Sequence, residues 1–484
     1  MRPKIIGWDS ANPIIEDIKL SAILEVKDGS LWIDGFRLQD IFDGRIGTLT
    51  QVNTPLEVVY LPIIRKNIRQ LLDLFNQAVI QNHYKGKFLY AYASKANAAE
   101  EVVRTVLETG VDYEISSWLD IEIAKLMIKR GFLKKEQRII CNGFKPLGSS
   151  YAEKIIELQH LHGNVIPVIE DPAELSPLIN SDIEFEVGVR LKTYGDYSDI
   201  PSMNRANSRF GMDIDQIKAV AEEISLAPNL TLKLLHGMVG SQLENADSFV
   251  DRLTPAIMIF AQLRKDHEDL EIFDFGGGMP APMTLDFNFD YSHFCNALLQ
   301  RILQICREFS IPEPHIMGEF GRYTVAEHGF HIFKVQTVKE NGSKLPWYIV
   351  DGSVMSSFPD IWALGEHFVV LPLNNLGSDF IQVQIGGITC DSDDVYPPMR
   401  SDSRLYLPKN TDDLLIGFFY VGAYQEMLGG VGGSKHCVIP EADELIVDRL
   451  SDGERIFEIL PGQSPVNVLK NLGYHNKGLE NEEN

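Results

Sequence analysis

Lys95 stands where an amine could do covalent chemistry. It follows an alternating apolar run, KFLYAYA (87–93), within Ser94-Lys95-Ala96-Asn97. At the end of a buried strand, loss of water disfavours the ammonium form and frees an amine that attacks carbonyl carbon. The position also suits a surface lysine that starts the next helix, and spacing alone does not separate the two readings. Two more groups follow apolar runs in the same way. Gly276-Gly277-Gly278 comes after EIFDF (271–275). Three glycines let backbone N–H groups close on an anion, although such a run also makes a plain turn. Glu319 closes HIMGE (315–319), and Phe320-Gly321-Arg322 follows, so a carboxylate and a guanidinium lie close together.

An amine for an aldehyde, a backbone-and-arginine cradle for a phosphate and an acid for a ring nitrogen are the requirements of pyridoxal 5'-phosphate. Lys95, Gly276 to Gly278 with Arg322, and Glu319 meet them. A glutamate at the ring nitrogen keeps it protonated and makes the ring a strong electron sink. That favours reactions that leave a carbanion at Cα, decarboxylation among them; racemisation tolerates a less withdrawing ring.

These groups need a scaffold that brings strand ends together. Eight short runs rich in Val, Ile, Phe and Tyr read as strands: 87–93, 111–115, 138–141, 165–169, 184–191, 232–237, 271–275 and 315–319. Helix-period stretches such as AEEVVRTVLETG, LDIEIAKLMIKRG and NALLQRILQICREF lie between them. The alternation predicts an α/β chain with a (β/α)8 TIM-like barrel, its chemistry in the loops at the carboxyl ends of the strands. A doubly wound open sheet is the alternative. After about residue 320 the alternation stops, and HIFKVQTV, WYIVDGS, HFVVLPL and DLLIGFFYV read as an all-β module. The expected division is a coenzyme-binding barrel over 55–320 and a β-rich domain built from 1–54 and 321–484, so that the N-terminal segment completes the C-terminal domain.

With 484 residues the chain is long enough for two domains, and its formal charge of −24 argues against a nucleic-acid partner. The charge is compatible with a cationic substrate and equally with a surface that serves solubility. No apolar run is long enough to span a bilayer, and the start lacks a basic, apolar, small-residue leader pattern, so the expectation is a cytoplasmic protein with no membrane partner. Five scattered cysteines form no CxxC pair and are expected to be reduced thiols. The polar segment 194–209 reads as a mobile loop over the site, and the tail 477–484 as frayed.

From about residue 30 to 450 the chain resembles the alanine-racemase-fold (group III) pyridoxal-phosphate-dependent decarboxylases, the group of ornithine, diaminopimelate and biosynthetic arginine decarboxylases. YAYASKAN resembles the lysine motif, which implies that Lys95 holds the coenzyme as a Schiff base. Gly240-Ser241-Gln242 resembles the phosphate-side motif after strand six. FGGGM and GEFGR resemble the glycine-rich and Glu-x-Gly-Arg motifs, with Glu319 on the ring nitrogen and Gly321 and Arg322 near the phosphate. TCDSDD (389–394) resembles the Cys-Asp motif. By that resemblance Cys390 reaches into the partner subunit's site to protonate Cα, and Asp391 contacts the substrate's distal cation. GAYQEMLGG (422–430) resembles the segment whose tyrosine, here Tyr424, lies against the phosphate. CNGFK (141–145), GGITCDSDD (386–394) and GAYQEMLGG are similar to the arginine decarboxylase branch in a compact form. The resemblance therefore implies a homodimer with shared sites that turns arginine into agmatine. Ornithine, lysine, diaminopimelate or a carboxylated polyamine are the alternative substrates, and a catalytically silent regulatory barrel is the alternative class.

One departure concerns the coenzyme ring. The family writes HxHxGSQ, whereas this chain has His236-Gly237-Met238-Val239-Gly240-Ser241-Gln242, so Met238 stands at the ring-stacking position. A thioether packs on an aromatic face but neither titrates nor donates a hydrogen bond. His236 shares parity with Met238 on an extended strand and either supports the ring from a deeper layer or is a buried structural histidine. Other positions carry paired readings too. Cys390 is a reactive thiol or a small buried hydrophobe; Asp393 and Asp394 read as turn residues beside Asp391. Glu114 and Ser117 follow strand two near the coenzyme, and Ser117 equally suits a helix cap.

Overall fold

The structure is a computed structural model that describes residues 6–44, 52–145, 148–193, 208–340, 342, 344–399, 401–430, 432, 435–450 and 452–474. Of the expected loop 194–209 only the last two residues fall within this set, and the expected frayed tail lies outside it.

The eight expected runs form eight parallel strands in a closed barrel. They are β1 (Phe88–Ala93), β2 (Asp112–Ile115), β3 (Ile139–Cys141), β4 (Val165–Ile169), β5 (Phe185–Arg190), β6 (Leu230–His236), β7 (Ile272–Asp274) and β8 (His315–Phe320). Each pairs with its successor, and β8 closes on β1 with Glu319 opposite Ala91. A helix separates every consecutive pair, from Glu100–Leu107 after β1 to Tyr291–Phe309 after β7. Closure excludes the doubly wound alternative, which leaves two strand edges open.

Local sequence explains these helices. In Tyr291–Phe309 the buried residues Phe294, Cys295, Leu298, Leu299, Ile302, Leu303 and Cys306 recur at helical spacing. Asp290 accepts the His293 N–H at 2.8 Å to start the helix, and Ser310, in the left-handed region at φ +58°, ends it. Ile214–Leu226 opens on a capping box between Asp213 and Gln216. Inside the barrel, Ala91, Ile140, Ile166, Val168, Leu234, Ile272 and Met317 pack as one apolar cluster. Gly318 leaves the room that aromatic packing needs, since a Cβ there would stand 2.7 Å from Phe275 Cζ. Alternate residues of β8 thereby face inward, and the parity that buries Met317 sends Glu319 to the barrel mouth.

The barrel belongs to a compact unit of Arg65–Pro280 with Asn288–Thr324. A second unit comprises Met1–Ile64, Ala281–Phe287 and Val325–Asn484. Its centre is the long strand Gly329–Lys339, which pairs antiparallel with Leu56–Tyr60, Leu415–Phe419 and Trp347–Val350. Leu56–Tyr60 also runs parallel to Asp443–Arg449, so this strand is a member of the β-rich sheet. Residues 55–60, which the sequence reading put at the start of the barrel, thus pair outside it, and the barrel's own strands begin at Phe88. Among the described residues no helix is long and apolar enough to cross a membrane.

Leu234 is fully buried in the barrel interior. Leu234→Ala is expected to lower stability by about 2–5 kcal/mol through lost apolar contact plus the cavity left behind. Equilibrium urea unfolding checks this, and a loss below about 1 kcal/mol would mean the interior collapses around the gap.

Candidate active site

Neighbouring strand ends assemble the first half of the site. Ala93 pairs with Glu114, and Ile115 pairs with Cys141, so the residues just beyond β1, β2 and β3 share one rim. Lys95 sits in a single turn of 3-10 helix, Ser94–Ala96, immediately after β1. Its Nζ lies 3.7 Å from Glu114 Oε2; the lysine side chain is 48% exposed while the glutamate is fully buried. Glu114 Oε1 accepts from Ser116 Oγ at 2.7 Å and from Asn142 Nδ2 at 2.9 Å. The same Asn142 Nδ2 donates to Glu319 Oε1 at 2.8 Å, so one amide joins two buried carboxylates. Burial pushes the Glu114 carboxyl up, Glu319 adds to the rise, and the Lys95 ammonium opposes it. Ser117 caps the helix Trp118–Lys129, accepting from Asp120 N–H at 3.2 Å.

The other half comes from β6, β7 and β8. His236 pairs with Asp274, and Asp274 with Met317. His236 Nε2 approaches Glu319 Oε2 to 3.5 Å, both side chains being buried. Burial alone would raise the Glu319 carboxyl, but His236, Lys95 and the Asn142 hydrogen bond together hold it down at about 2. Asp274 behaves in the opposite way. It is completely buried beside Glu319, and desolvation first and that neighbouring charge second push its carboxyl well up, although one oxygen accepts the Gly276 N–H at 2.8 Å. Glu319 therefore carries the negative charge and Asp274 the proton.

The glycine run lets its loop lie against both flanking strands. Gly276 has φ +66°, and a Cβ there would stand 2.9 Å from His236 Nε2 and 3.0 Å from Met238 Cβ. At Gly277 a Cβ would come within 3.0 Å of the Glu319 carbonyl oxygen. Gly278, at φ +111°, brings its backbone so near Gly240 that a Cβ would meet the carbonyl oxygen there at 2.9 Å. Leu243 N–H donates to the Gly278 carbonyl at 3.2 Å, which ties this loop to the one after β6. Met238 is part-buried at the same mouth, its carbonyl accepting from Thr193 Oγ1 at 2.6 Å. Ser241 is exposed in the loop after β6. Gly321 is buried, its carbonyl accepting the Thr324 N–H at 2.9 Å, and the part-buried Arg322 opens the short helix Arg322–Val325.

Cys390, Asp391 and Tyr424 belong to the β-rich unit. Cys390 is exposed in a turn, with its Sγ 3.4 Å from Cys437 Sγ. Asp391 Oδ1 accepts the Asp393 N–H at 2.9 Å, so Asp391 itself closes the turn. Asp394 is the buried anchor rather than a turn decoration: it accepts from Ser353 Oγ (3.2 Å), Met355 N–H (3.0 Å), Thr389 N–H (3.0 Å) and Thr389 Oγ1 (2.7 Å). Tyr424, at φ +70°, precedes the short helix Gln425–Gly429.

Sequence reasoning missed two members of the barrel cluster. Asp274 interrupts the apolar run EIFDF, and a lone acid in a buried strand is a signal in itself. Asn142 lay in CNGFK, with nothing to show that it would span two acids. A second buried set also went unread: Arg190 Nη1 meets Glu170 Oε1 at 2.7 Å, and Lys145 Nζ meets Glu174 Oε2 at 3.3 Å.

The donor set fits pyridoxal phosphate. A pyridine nitrogen keeps its proton beside an acid that stays ionised, and Glu319 stays ionised although buried. The barrel mouth thus gathers the kinds of group that a pyridoxal enzyme needs. Residues 66–326, over half of the chain, match the family described as "Pyridoxal-dependent decarboxylase, pyridoxal binding domain", and the chain belongs to that family. It is similar to the biosynthetic arginine decarboxylase of Trichlorobacter lovleyi, at 22% identity over 85% of this chain and 83% of the relative. Among solved structures it is similar to the biosynthetic arginine decarboxylase SpeA from Campylobacter jejuni, with a TM-score of 0.77, 21% identity, and 93% of this chain and 89% of that one covered. Diaminopimelate decarboxylase from M. jannaschii in complex with L-lysine gives a TM-score of 0.77 at 20% identity, covering 93% of this chain and 98% of that one.

A carboxyl whose pKa rises on folding loses the native state stability as pH climbs above the ordinary aspartate range. Asp274→Asn keeps the oxygen that accepts from Gly276 and removes the titration. Urea unfolding is expected to show a stability gap in the variant's favour that widens by on the order of 1 kcal/mol between about pH 5 and about pH 8. A gap that stays constant over that range would show that Asp274 is ionised in the folded protein.

Proposed function

We propose that this chain decarboxylates a basic L-amino acid, with arginine as substrate and agmatine as product. The observation that carries the reading is the network in which Lys95, Glu114, Asn142, Glu319 and His236 meet at one barrel mouth. Full-length similarity to relatives named biosynthetic arginine decarboxylase supports the substrate.

When bound, pyridoxal phosphate supplies an electron sink for the pair left on Cα as carbon dioxide departs. Lys95 would be the amine that holds the coenzyme's aldehyde. Glu114 keeps a carboxyl within reach of that nitrogen. Glu319 holds the proton on the pyridine nitrogen, while His236 and Asn142 fix the position of its carboxylate. Met238 packs a polarizable thioether at the ring without drawing on its charge. Gly276, Gly277 and Gly278, with Ser241, Gly321 and Arg322, would hold the phosphate.

Cys390 of a second copy returns the proton to Cα, and Asp391 of that copy receives the substrate's cationic end, so a homodimer is the minimal active unit. The five described cysteines are free thiols, which supports a cytoplasmic setting.

Purified protein offered arginine, ornithine, lysine, diaminopimelate and carboxylated polyamines is expected to release carbon dioxide fastest from arginine. No turnover of arginine would end that assignment, and no turnover of any would favour a silent barrel, the outcome that Met238 makes worth testing. Borohydride reduction is expected to fix the coenzyme on the Lys95 peptide, and Lys95→Ala to cut turnover by on the order of 10⁴ or more. Cys390→Ala is expected to cost about 10²–10⁴-fold, as loss of a positioned proton donor does. Coenzyme on a different lysine would overturn the site.

A further inference from the structure

Cys390 has company that the decarboxylation does not use. Cys437 lies 47 residues along the chain and places its Sγ 3.4 Å from Cys390 Sγ. His436 Nδ1 is 3.1 Å from Cys437 Sγ, and the donor atoms of Cys390, His436 and Cys437 all lie within 4.8 Å of one another. The other ring nitrogen, His436 Nε2, is 3.6 Å from Asp391 Oδ2. All four residues belong to the β-rich unit.

We propose that Cys390, Cys437 and His436 form a site for a soft divalent cation, zinc above all, with Asp391 orienting the histidine. Two edges of the cluster, 3.4 Å between the sulfurs and 3.1 Å from His436 Nδ1 to Cys437 Sγ, suit a tetrahedral face. Zinc–sulfur bonds of about 2.3 Å and zinc–nitrogen bonds of about 2.0 Å put tetrahedral ligand atoms roughly 3.5–3.8 Å apart, a few tenths of an ångström beyond the separations here. A ring nitrogen facing a carboxylate while its twin faces the ligand cluster is the arrangement that fixes a metal-binding imidazole. Two thiolates neutralise the ion's charge, and thiolate with imidazole selects zinc over magnesium or calcium. The three ligands are exposed, so a fourth position is open to solvent.

Both loops are held in place without the metal. Asp394 anchors the Cys390 turn through the four hydrogen bonds described above. On the other side Lys435 Nζ donates to the Gly430 carbonyl at 2.9 Å, and Val438 N–H closes onto the Lys435 carbonyl at 3.0 Å. Cys437 and Val438 both adopt φ +56°, an uncommon conformation for non-glycine residues and a clear outlier for a β-branched one. That backbone turns the Cys437 thiol towards Cys390. A bound ion takes the lone pair of the Cys390 sulfur and its proton leaves to solvent, so zinc is expected to inhibit; this consequence, unlike the site itself, rests on Cys390 being the proton donor.

Reduced holoenzyme titrated with Co²⁺ is expected to bind one equivalent, with a thiolate-to-cobalt charge-transfer band and intense tetrahedral d–d bands that Zn²⁺ then abolishes. Cys437→Ser and His436→Ala are expected to lose the bands, and Asp391→Asn to weaken binding by about 10–100-fold. Cys437→Ser is expected to retain decarboxylation and to escape zinc inhibition. No cobalt uptake, a spectrum unchanged in Cys437→Ser, or a Cys390–Cys437 disulfide forming in air in protein that takes up no metal when reduced overturns the site. Binding with full turnover supports the site and removes Cys390 from the proton-donor role.

Discussion

Two carboxyl groups buried at one rim repel each other, and the side chains around them answer that repulsion. Glu114 and Glu319 share the amide of Asn142. Glu319 is ionised because His236 and Lys95 lie close enough to offset its desolvation, while Asp274 beside it keeps a proton. Removing either partner would leave a buried negative charge less well compensated, which is costly in a low-dielectric interior. The barrel closes with these groups in contact only because six strand ends arrive in register. The electrostatic problem and the β8–β1 pairing therefore stand or fall together.

Met238 matters against this background. An imidazole at the ring face would add a titratable group to a mouth that already holds three acids and two bases. The thioether adds none, and under the proposed arrangement the charge on the ring nitrogen would be set by Glu319 and its own neighbours. His236 is not a spectator of the core. It lies on β6 one layer below Met238 and meets Glu319, so the histidine that remains in the motif acts through the acid.

Much of this was legible in the amino-acid order. All eight barrel strands were visible as apolar runs, because a strand buried on both faces has no polar alternation to blur it. Lys95, Glu319 and the glycines stood out because each follows such a run. The link between them did not. Asn142 gives no periodic signal, and its role exists only once β2, β3 and β8 are neighbours. Ser117 and Asp394 show the same limit from the other side: short polar residues look alike in sequence, yet one caps a helix and the other is buried beneath a turn. The sequence reading puts Leu56–Tyr60 at the start of the barrel rather than in the β-rich sheet, since its partners lie at distant positions.

That strand has a consequence for biosynthesis. Leu56 pairs with Asp443 and Val58 with Leu445, so the β-rich sheet joins segments nearly four hundred residues apart. On the ribosome the N-terminal strand emerges early and waits unpaired while the whole barrel is translated. The barrel's strands meet their neighbours within a few tens of residues, apart from the β8–β1 closure, and can assemble during that interval. Co-translational order is thus written into the topology: the coenzyme-binding unit matures first. The sheet carrying Cys390 and Asp391 is completed only when the last third of the polypeptide has left the exit tunnel.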